Sequence, residues 1–245
     1  TLYASWLRDR VAEGSVSDAI KSASRVEQTA GLAALTLLEA SLPGVEVAEA
    51  VPVAKWASAN YSTEPEVLRR ATAILLRAGD FAAALDTARA WRSASAVDIF
   101  TPTLVMADLN LRLGRPVEAR RVILPLIGNL EGPSSRARPV AVGLARSWLL
   151  TGDEDLAWDV FKPRLRDDQF WRATSAQVAV TFVEDSQVMR AWLADIVEVT
   201  DFDAREEVMN LASVYRAAFR RTGDPYFRKE AELLMSTPAT TMPIE

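Results

Sequence analysis

The strongest constraint in this sequence is a glycine turn that recurs between long stretches of helix-forming residues. The turns are centred on Gly79, Gly114 and Gly152, which are 35 and 38 residues apart. A period of this length is typical of stacked helix hairpins, in which each repeat buries its apolar face against its neighbours. In such a chain the repeat determines the architecture, and function depends on the surfaces that the stack exposes.

The residues around Gly79 indicate how each turn separates two helices. From Pro65 onward, apolar residues recur at helical spacing, which predicts a helix with one apolar face. Gly79 supplies the left-handed backbone that ends such a helix, and Asp80 is a good N-cap for the next one. The two later turns are followed by a proline and by acidic residues, which are both typical of helix starts.

Small residues also lie at fixed distances from each turn glycine. One lies seven residues before the glycine, and an alanine lies five residues after it. Small side chains at these places let the two helices of a hairpin approach closely. The residues are Thr72, Ala107 and Ala145 before the turns, and Ala84, Ala119 and Ala157 after them. This pattern resembles the tetratricopeptide repeat (TPR), most clearly over residues 65–166.

The resemblance implies an all-α fold, a right-handed superhelix of about seven antiparallel helix hairpins (an α-solenoid). Less regular turns supply the remaining hairpins, at Gly14, Gly44, Glu184–Asp185 and Gly223. We expect a single repeat domain over residues 1–235 and a flexible tail or linker over 236–245.

Two local features modify this pattern. Pro52 interrupts the helix expected after the Gly44 turn, so we expect that helix to begin at Pro52. The segment Glu131–Ser135 contains a Gly-Pro pair and predicts a longer loop between the Gly114 and Gly152 hairpins.

The composition excludes several classes of chemistry. The 245 residues include no histidine and no cysteine. Ser-His and Cys-His catalysis, the histidine-based zinc and iron sites, and disulfides are therefore impossible within this chain. We expect no catalytic site, no metal and no cofactor.

In TPR proteins the first helix of each hairpin lines the inner groove. The resemblance therefore implies a partner-binding groove that includes Arg69, Leu76, Arg77, Asp108, Leu111, Arg112 and Arg146. Several guanidinium groups on an apolar surface suit a protein or peptide partner that carries carboxylates. The asparagine that holds a C-terminal carboxylate in the best-known TPR groove is absent, because its positions hold Ala73, Asp108 and Arg146. The alternative is that these arginines are solvated or form ion pairs within their own repeats.

Charge is distributed unevenly along the chain. Residues 101–150 carry seven arginines and three acids, whereas residues 151–207 carry six basic and fourteen acidic residues. This asymmetry indicates either a bipolar surface that selects partners or an ordinary solvated exterior. With a net charge of −5, nucleic acid is not an expected partner, and no apolar run is long enough for a membrane span.

Seven tryptophans are further candidates for a site. Trp56 and Trp91 each follow a turn glycine by twelve residues, which predicts packing between hairpins. Trp6 and the pair Phe170–Trp171 are less constrained, and we consider them as exposed anchors for a partner.

Two acidic clusters invite a carboxylate or calcium interpretation. Helix capping explains Asp153–Asp155. The run of acids over Asp195–Glu207 lacks the glycine and alternating oxygen ligands of a known calcium loop. We therefore do not favour a metal site.

The favoured function is a non-catalytic protein-interaction module or scaffold that binds a peptide or partner protein on its groove. One alternative is a helical-toroid glycan hydrolase that uses paired carboxylates and sugar-stacking tryptophans. Another is a sensing or self-associating segment of a larger regulator, because the chain begins at Thr1 rather than Met and is expected to be a piece of a longer or processed protein. We expect a soluble chain, from the cytoplasm or the periplasm.

Overall fold

A computed structural model of the chain describes residues 47–236, and every regular element in this part is helical. Its eleven α-helices are α1 (Val47–Asn60), α2 (Pro65–Arg77), α3 (Phe81–Ala94), α4 (Phe100–Arg112), α5 (Pro116–Ile123), α6 (Ser134–Leu149), α7 (Glu154–Asp159), α8 (Gln169–Phe182), α9 (Ser186–Glu198), α10 (Arg205–Thr222) and α11 (Pro225–Ser236). Two 3-10 segments, Leu124–Glu131 and Lys162–Arg164, follow α5 and α7. Within the described range no helix is both long and apolar enough to cross a membrane. The predicted all-α class is confirmed.

The helices divide between two compact units, with the boundary between Val122 and Ile123. Each unit has a hydrophobic core of its own, built by α1–α5 in the first and by α6–α11 in the second. The single domain expected over 1–235 stays a prediction. Gly14, Gly44, Trp6 and residues 237–245 of the expected tail lie outside the described residues.

The predicted glycine turns are confirmed at four positions. Gly79, Gly114, Gly152 and Gly223 have φ angles between 69° and 79°, a region that L-residues with a side chain rarely adopt. After each of the first three glycines, the next amide donates to a carbonyl five residues earlier, as in Asp80 N to Leu75 O at 3.0 Å. This bond is the closing contact of a Schellman motif, so three hairpins turn in the same way.

The turn predicted at Glu184–Asp185 joins two helices without a glycine. Helix α8 ends at Phe182, and Asp185 then acts as the N-cap of α9. Its carboxylate accepts from the amides of Gln187 and Val188 at 2.6 and 3.3 Å. Side-chain capping therefore replaces the left-handed residue at this turn.

The small residues of the repeat pattern lie in the interior, as expected for residues where two helices cross. All six are at most 2% exposed: Thr72, Ala84, Ala107, Ala119, Ala145 and Ala157. Their short side chains permit close approach of the two helices in each of these three hairpins.

The helix start expected at Pro52 is wrong, because Pro52 lies inside α1. A proline there removes one backbone hydrogen bond. Pro52 is exposed, so the proline lies on the solvent side of the helix. Val53, Ala54 and Ala57 on the other side of the helix are buried in the core of the first unit. Their burial offsets the local cost of the proline.

The loop expected over Glu131–Ser135 is shorter than predicted. The 3-10 segment reaches Glu131 and α6 begins at Ser134, so only Gly132 and Pro133 connect them. Pro125 explains why α5 ends early, since its ring excludes a helical hydrogen bond and clashes with the preceding turn.

The first helices of the last two hairpins, α8 and α10, run parallel. Arg172 near the start of α8 pairs with Glu207 near the start of α10. Arg221 near the end of α10 donates to the carbonyl of Val180 near the end of α8. Like ends of the two helices therefore meet, as expected when consecutive hairpins stack in the same orientation.

Candidate partner-binding groove

Three of the predicted groove residues lie on α2 in the first unit. Arg69 is exposed, and its Nε and Nη2 atoms each donate to Glu66 at 2.8 Å. The Glu66 carboxylate raises the pKa of Arg69, and Arg69 in turn holds the pKa of Glu66 below its ordinary value. Leu76 is half-buried against the core of the first unit, and Arg77 is exposed in the last turn of the helix. For Arg69, the structure therefore shows an ion pair within its own repeat.

On α4 the structure brings two predicted residues together. Arg112 Nε lies 2.7 Å from Asp108 Oδ2, and the Arg112 guanidinium is 5.5 Å from the centre of the Phe81 ring on α3. Leu111 is different, because it is only 6% exposed and offers little surface to a partner. The neighbouring Asn110 is buried as well and donates to Met106 O within the helix, so the buried face of α4 is wider than a regular apolar stripe predicts.

Arg146 lies on α6 in the second unit. Its guanidinium is 4.7 Å from the centre of the Phe182 ring at the end of α8, which is a cation–π distance. Arg146 therefore helps to hold two consecutive first helices together. The assignment of Arg69, Arg77, Arg112 and Arg146 to a partner-binding groove stays a prediction.

A groove that the sequence pattern did not single out lies between α8 and α10. It encloses about 330 Å³, within the lower range of small-ligand pockets. Its lining from α8 is Gln169, Phe170, Arg172, Ala173, Ala176 and Gln177. Its lining from α9, the loop after α9 and α10 is Ile196, Thr200, Glu206, Glu207, Asn210, Leu211, Ser213 and Val214. Because α8 and α10 are first helices of their hairpins, this groove lies on the kind of surface that the TPR resemblance assigns to a partner.

The ion pair between Arg172 and Glu207 forms one end of this groove. Their side chains are only 12% and 10% exposed, and Arg172 Nη1 also donates to Leu165 O at 2.8 Å. Glu207 raises the pKa of Arg172, with further contributions from the carboxylates of Asp168 and Asp201. The guanidinium is thus fixed in its charged form by acidic groups on several sides.

Trp171 is not the exposed anchor that the sequence suggested. It is 4% exposed, and its ring meets Phe161 edge-on with 6.4 Å between ring centres. Phe170 beside it is 54% exposed, and the Arg138 guanidinium lies 5.3 Å from its ring centre. Of this pair only Phe170 is available to a partner, and it lies at the edge of the groove.

Other tryptophans stabilise the second unit. Trp158 on α7 stacks on Trp192 of α9, with ring centres 4.6 Å apart and 21° between the planes. The Trp158 indole donates to Asp195 Oδ2 at 2.8 Å. The acidic run that begins at Asp195 is therefore partly used in packing between hairpins, and Glu207 at its other end is paired with Arg172.

The geometry of the groove differs from that of the hydrolase alternative. Glu206 and Glu207 both line it, but no tryptophan is among its lining residues in the described part of the chain. Glu207 is also neutralised by Arg172, whereas a carboxylate-based glycosidase needs two carboxyl groups that face a sugar between them. Residues 47–236 likewise contain no cluster of acidic side chains arranged to hold a metal ion.

One sequence signal points to the α8–α10 groove in retrospect. Exposed Ala173 on α8 and exposed Ser213 on α10 have short side chains, and short side chains on two neighbouring helices leave a gap. The turn before α9 has no glycine, so the repeat register that locates groove positions near Gly79 could not be extended to α8.

Comparison with known proteins identifies the fold. No model of a known protein family matches the chain, and no curated protein matches it in sequence. Among solved structures, a tetratricopeptide repeat protein from Parabacteroides merdae ATCC 43184 is similar, with a TM-score of 0.55 over 96% of this chain and 100% of that chain. The sequence identity is 14%, so the likeness concerns the fold alone. The glycine turns, the buried small residues and this likeness agree that the chain has a TPR-like, all-α helical repeat fold.

Proposed function

We propose that this chain is a non-catalytic protein-interaction module that binds a peptide segment of a partner along the first helices of its hairpins. The observation that carries this proposal is the open groove of about 330 Å³ between α8 and α10. TPR-like folds commonly present such surfaces, and helix-lined grooves suit extended or helical peptides.

The predicted groove residues of the first unit are part of the proposal. Arg69 and Arg77 are exposed and lie about 12 Å apart along α2, at a rise of about 1.5 Å per residue. A peptide that follows this helix can place carboxylates against both, but Arg69 is already paired with Glu66 and would have to share its guanidinium. Arg112 already has a carboxylate partner in Asp108, so a bound acidic group would have to share its guanidinium. Leu111 is left out because it is buried.

The test is a selection of phage-displayed random peptides on the immobilised full chain, followed by affinity measurements with the selected peptides. Two variants fill proposed binding surfaces with a bulky ring at exposed helix positions, Ala73→Trp on α2 and Ala173→Trp on α8. Ala191→Trp, exposed on the second helix α9 and outside the groove lining, is the matched control.

We expect selected peptides to share a sequence pattern and to lose affinity about tenfold or more in at least one of the two groove variants. The control should bind as the wild type does. The proposal is overturned if no peptide is selected, or if all selected peptides bind both groove variants as tightly as the wild type.

A further inference from the structure

The α8–α10 groove has a floor of small and apolar side chains beneath a polar rim. Ala173 on α8 and Ser213 on α10 are exposed residues of its lining, and Ala176 and Leu211, which also line it, are buried. An apolar side chain that enters this space would move from water into contact with an apolar surface. This transfer is the main source of affinity in such pockets. The floor therefore favours one aliphatic or aromatic side chain of a ligand.

The rim carries groups that match a peptide backbone. Gln177 on α8 and Asn210 on α10 are both exposed and both line the groove. A carboxamide offers a donor and an acceptor together, which are the two functions that a peptide unit presents. Gln177 also donates to Thr181 Oγ1 at 2.8 Å, which restricts its side chain to one orientation along the helix.

The side chains that line this groove have a negative net charge. The charge of Arg172 is compensated by Glu207. The negative charges of Asp168 and Asp201 also act on Arg172. Glu206, next in the chain, is an exposed carboxylate in the lining. Beyond the lining, Arg138 stacks on Phe170 and adds one positive charge at the edge. The lining itself thus carries two carboxylates and one guanidinium, and because Glu207 is taken by Arg172, a cationic group is the ligand complementary to Glu206.

We propose that the α8–α10 groove binds a peptide segment in which one apolar side chain enters the space between Ala173 and Ser213 and a neighbouring lysine or arginine pairs with Glu206. This inference rests on the proposed function and specifies the partner chemistry in the second unit. It differs from the carboxylate preference that the arginines on α2 imply for the first unit.

The experiment uses an array of short synthetic peptides in a Gly-Ser background. Each peptide carries one Leu or Phe and one Lys, Arg or Glu, at each spacing within one helical turn. The labelled full chain is applied to the array, and the best Lys peptide and its Glu counterpart are then measured in solution by fluorescence anisotropy.

We expect the Lys and Arg peptides to bind about two- to fivefold more tightly than the Glu peptides, the range of an exposed ion pair. Glu206→Gln should remove this preference, and Glu206→Lys should reverse it in favour of the Glu peptides. The matched control is Glu184→Gln, because Glu184 is an exposed acid in the turn before α9. This variant should keep the preference for Lys and Arg peptides. Circular dichroism and the denaturation midpoint of each variant show that the fold is unchanged.

The outcomes separate this inference from the proposed function. If peptides bind with no preference for a cation, or with one that Glu206→Lys does not alter, the inference is wrong. It is also wrong if binding is lost in Ala73→Trp but kept in Ala173→Trp, although the proposed function then stands. If neither the array nor the random library yields a bound peptide, both fail.

Discussion

Arg172 on α8 and Glu207 on α10 form a bidentate ion pair between helices that are one repeat apart. Arg172 Nη2 lies 3.0 Å from Glu207 Oε2, and Arg172 Nε donates to Oε1. The two residues are 35 positions apart in the chain, which equals the spacing of the Gly79 and Gly114 turns. Because both side chains are largely shielded from water, loss of either one would leave its partner as an uncompensated charge.

Substitution of Glu207 by Ala should therefore lower the free energy of unfolding by about 2–4 kcal/mol. Urea denaturation followed by circular dichroism measures the change. Glu232→Ala serves as the control, because Glu232 pairs with Arg228 at 2.9 Å where both side chains are 67% exposed. That change should cost less than about 0.5 kcal/mol. Equal losses in the two variants would contradict a special role for the buried pair.

Alanine at position 114 should destabilise the turn only because of the backbone conformation there. Gly114 has a φ of 69°, and a Cβ at this position would meet no atom within 4 Å. Gly114→Ala should thus cost about 1 kcal/mol from the left-handed conformation and nothing from steric overlap. Gly128→Ala is the comparison, since Gly128 is equally open but has no positive φ. If thermal or urea denaturation finds both changes neutral, the left-handed turn does not constrain this position.

Gly143 on α6 and Ile123 should be energetically coupled. A Cβ at residue 143 would lie 2.3 Å from Ile123 Cδ1, so Gly143→Ala forces the buried isoleucine to move. The clash opposes the gain in helix propensity of about 1 kcal/mol. In an Ile123→Val background the offending methyl is absent, and Gly143→Ala should then become more favourable by about 1 kcal/mol. A double-mutant cycle measures this coupling, and additive effects would refute it.

Protonation of Asp224 should lower the stability of the fold at acidic pH. Its side chain accepts from Arg190 Nε at 2.9 Å, and this contact holds the pKa of Asp224 below its ordinary value. The unfolded chain therefore takes up the proton more readily than the folded one. The stabilisation is present above the unfolded pKa of about 3.9 and is lost as pH falls through the lower folded pKa.

Asp224→Asn tests this direction of the pH dependence. Asparagine can still cap α11, where Asp224 Oδ1 accepts from the Tyr226 amide at 3.0 Å. Urea denaturation should show the wild type more stable than the variant near neutral pH, and the difference should shrink as pH falls below about 4. A difference that is the same at every pH would mean that the charge of Asp224 does not contribute.

The parts of the fold that the sequence predicts are those set by local backbone geometry. A left-handed residue between two apolar periodicities has few alternatives to glycine, so Gly79, Gly114, Gly152 and Gly223 could be identified in advance. The buried alanines followed from the same register. The alternative that some arginines form ion pairs within their own repeats also matches Arg69, because a glutamate lies three residues before it.

The parts that escaped prediction depend on what covers each helix. Pro52 is accepted inside α1 because the opposite face is buried. Trp171 is in the core and Phe170 at the surface, although adjacent aromatic residues give no local sign of which is which. Leu111 is buried because α4 is covered over more of its circumference than one stripe. The α8–α10 groove depends in the same way on two helices whose contact no single segment encodes.

The long-range side-chain hydrogen bonds in the second unit span a narrow range of chain separations, from 33 residues for Arg164 with Glu131 to 41 for Arg221 with Val180. Closing a loop costs entropy that grows only slowly with its length, and here no such bond requires the closure of a loop much longer than one hairpin. Assembly can therefore start at any neighbouring pair and spread outward, as in other linear arrays. We expect low contact order and fast folding for this unit, and a gain or loss of whole hairpins during evolution would disturb only the bonds at the new junction.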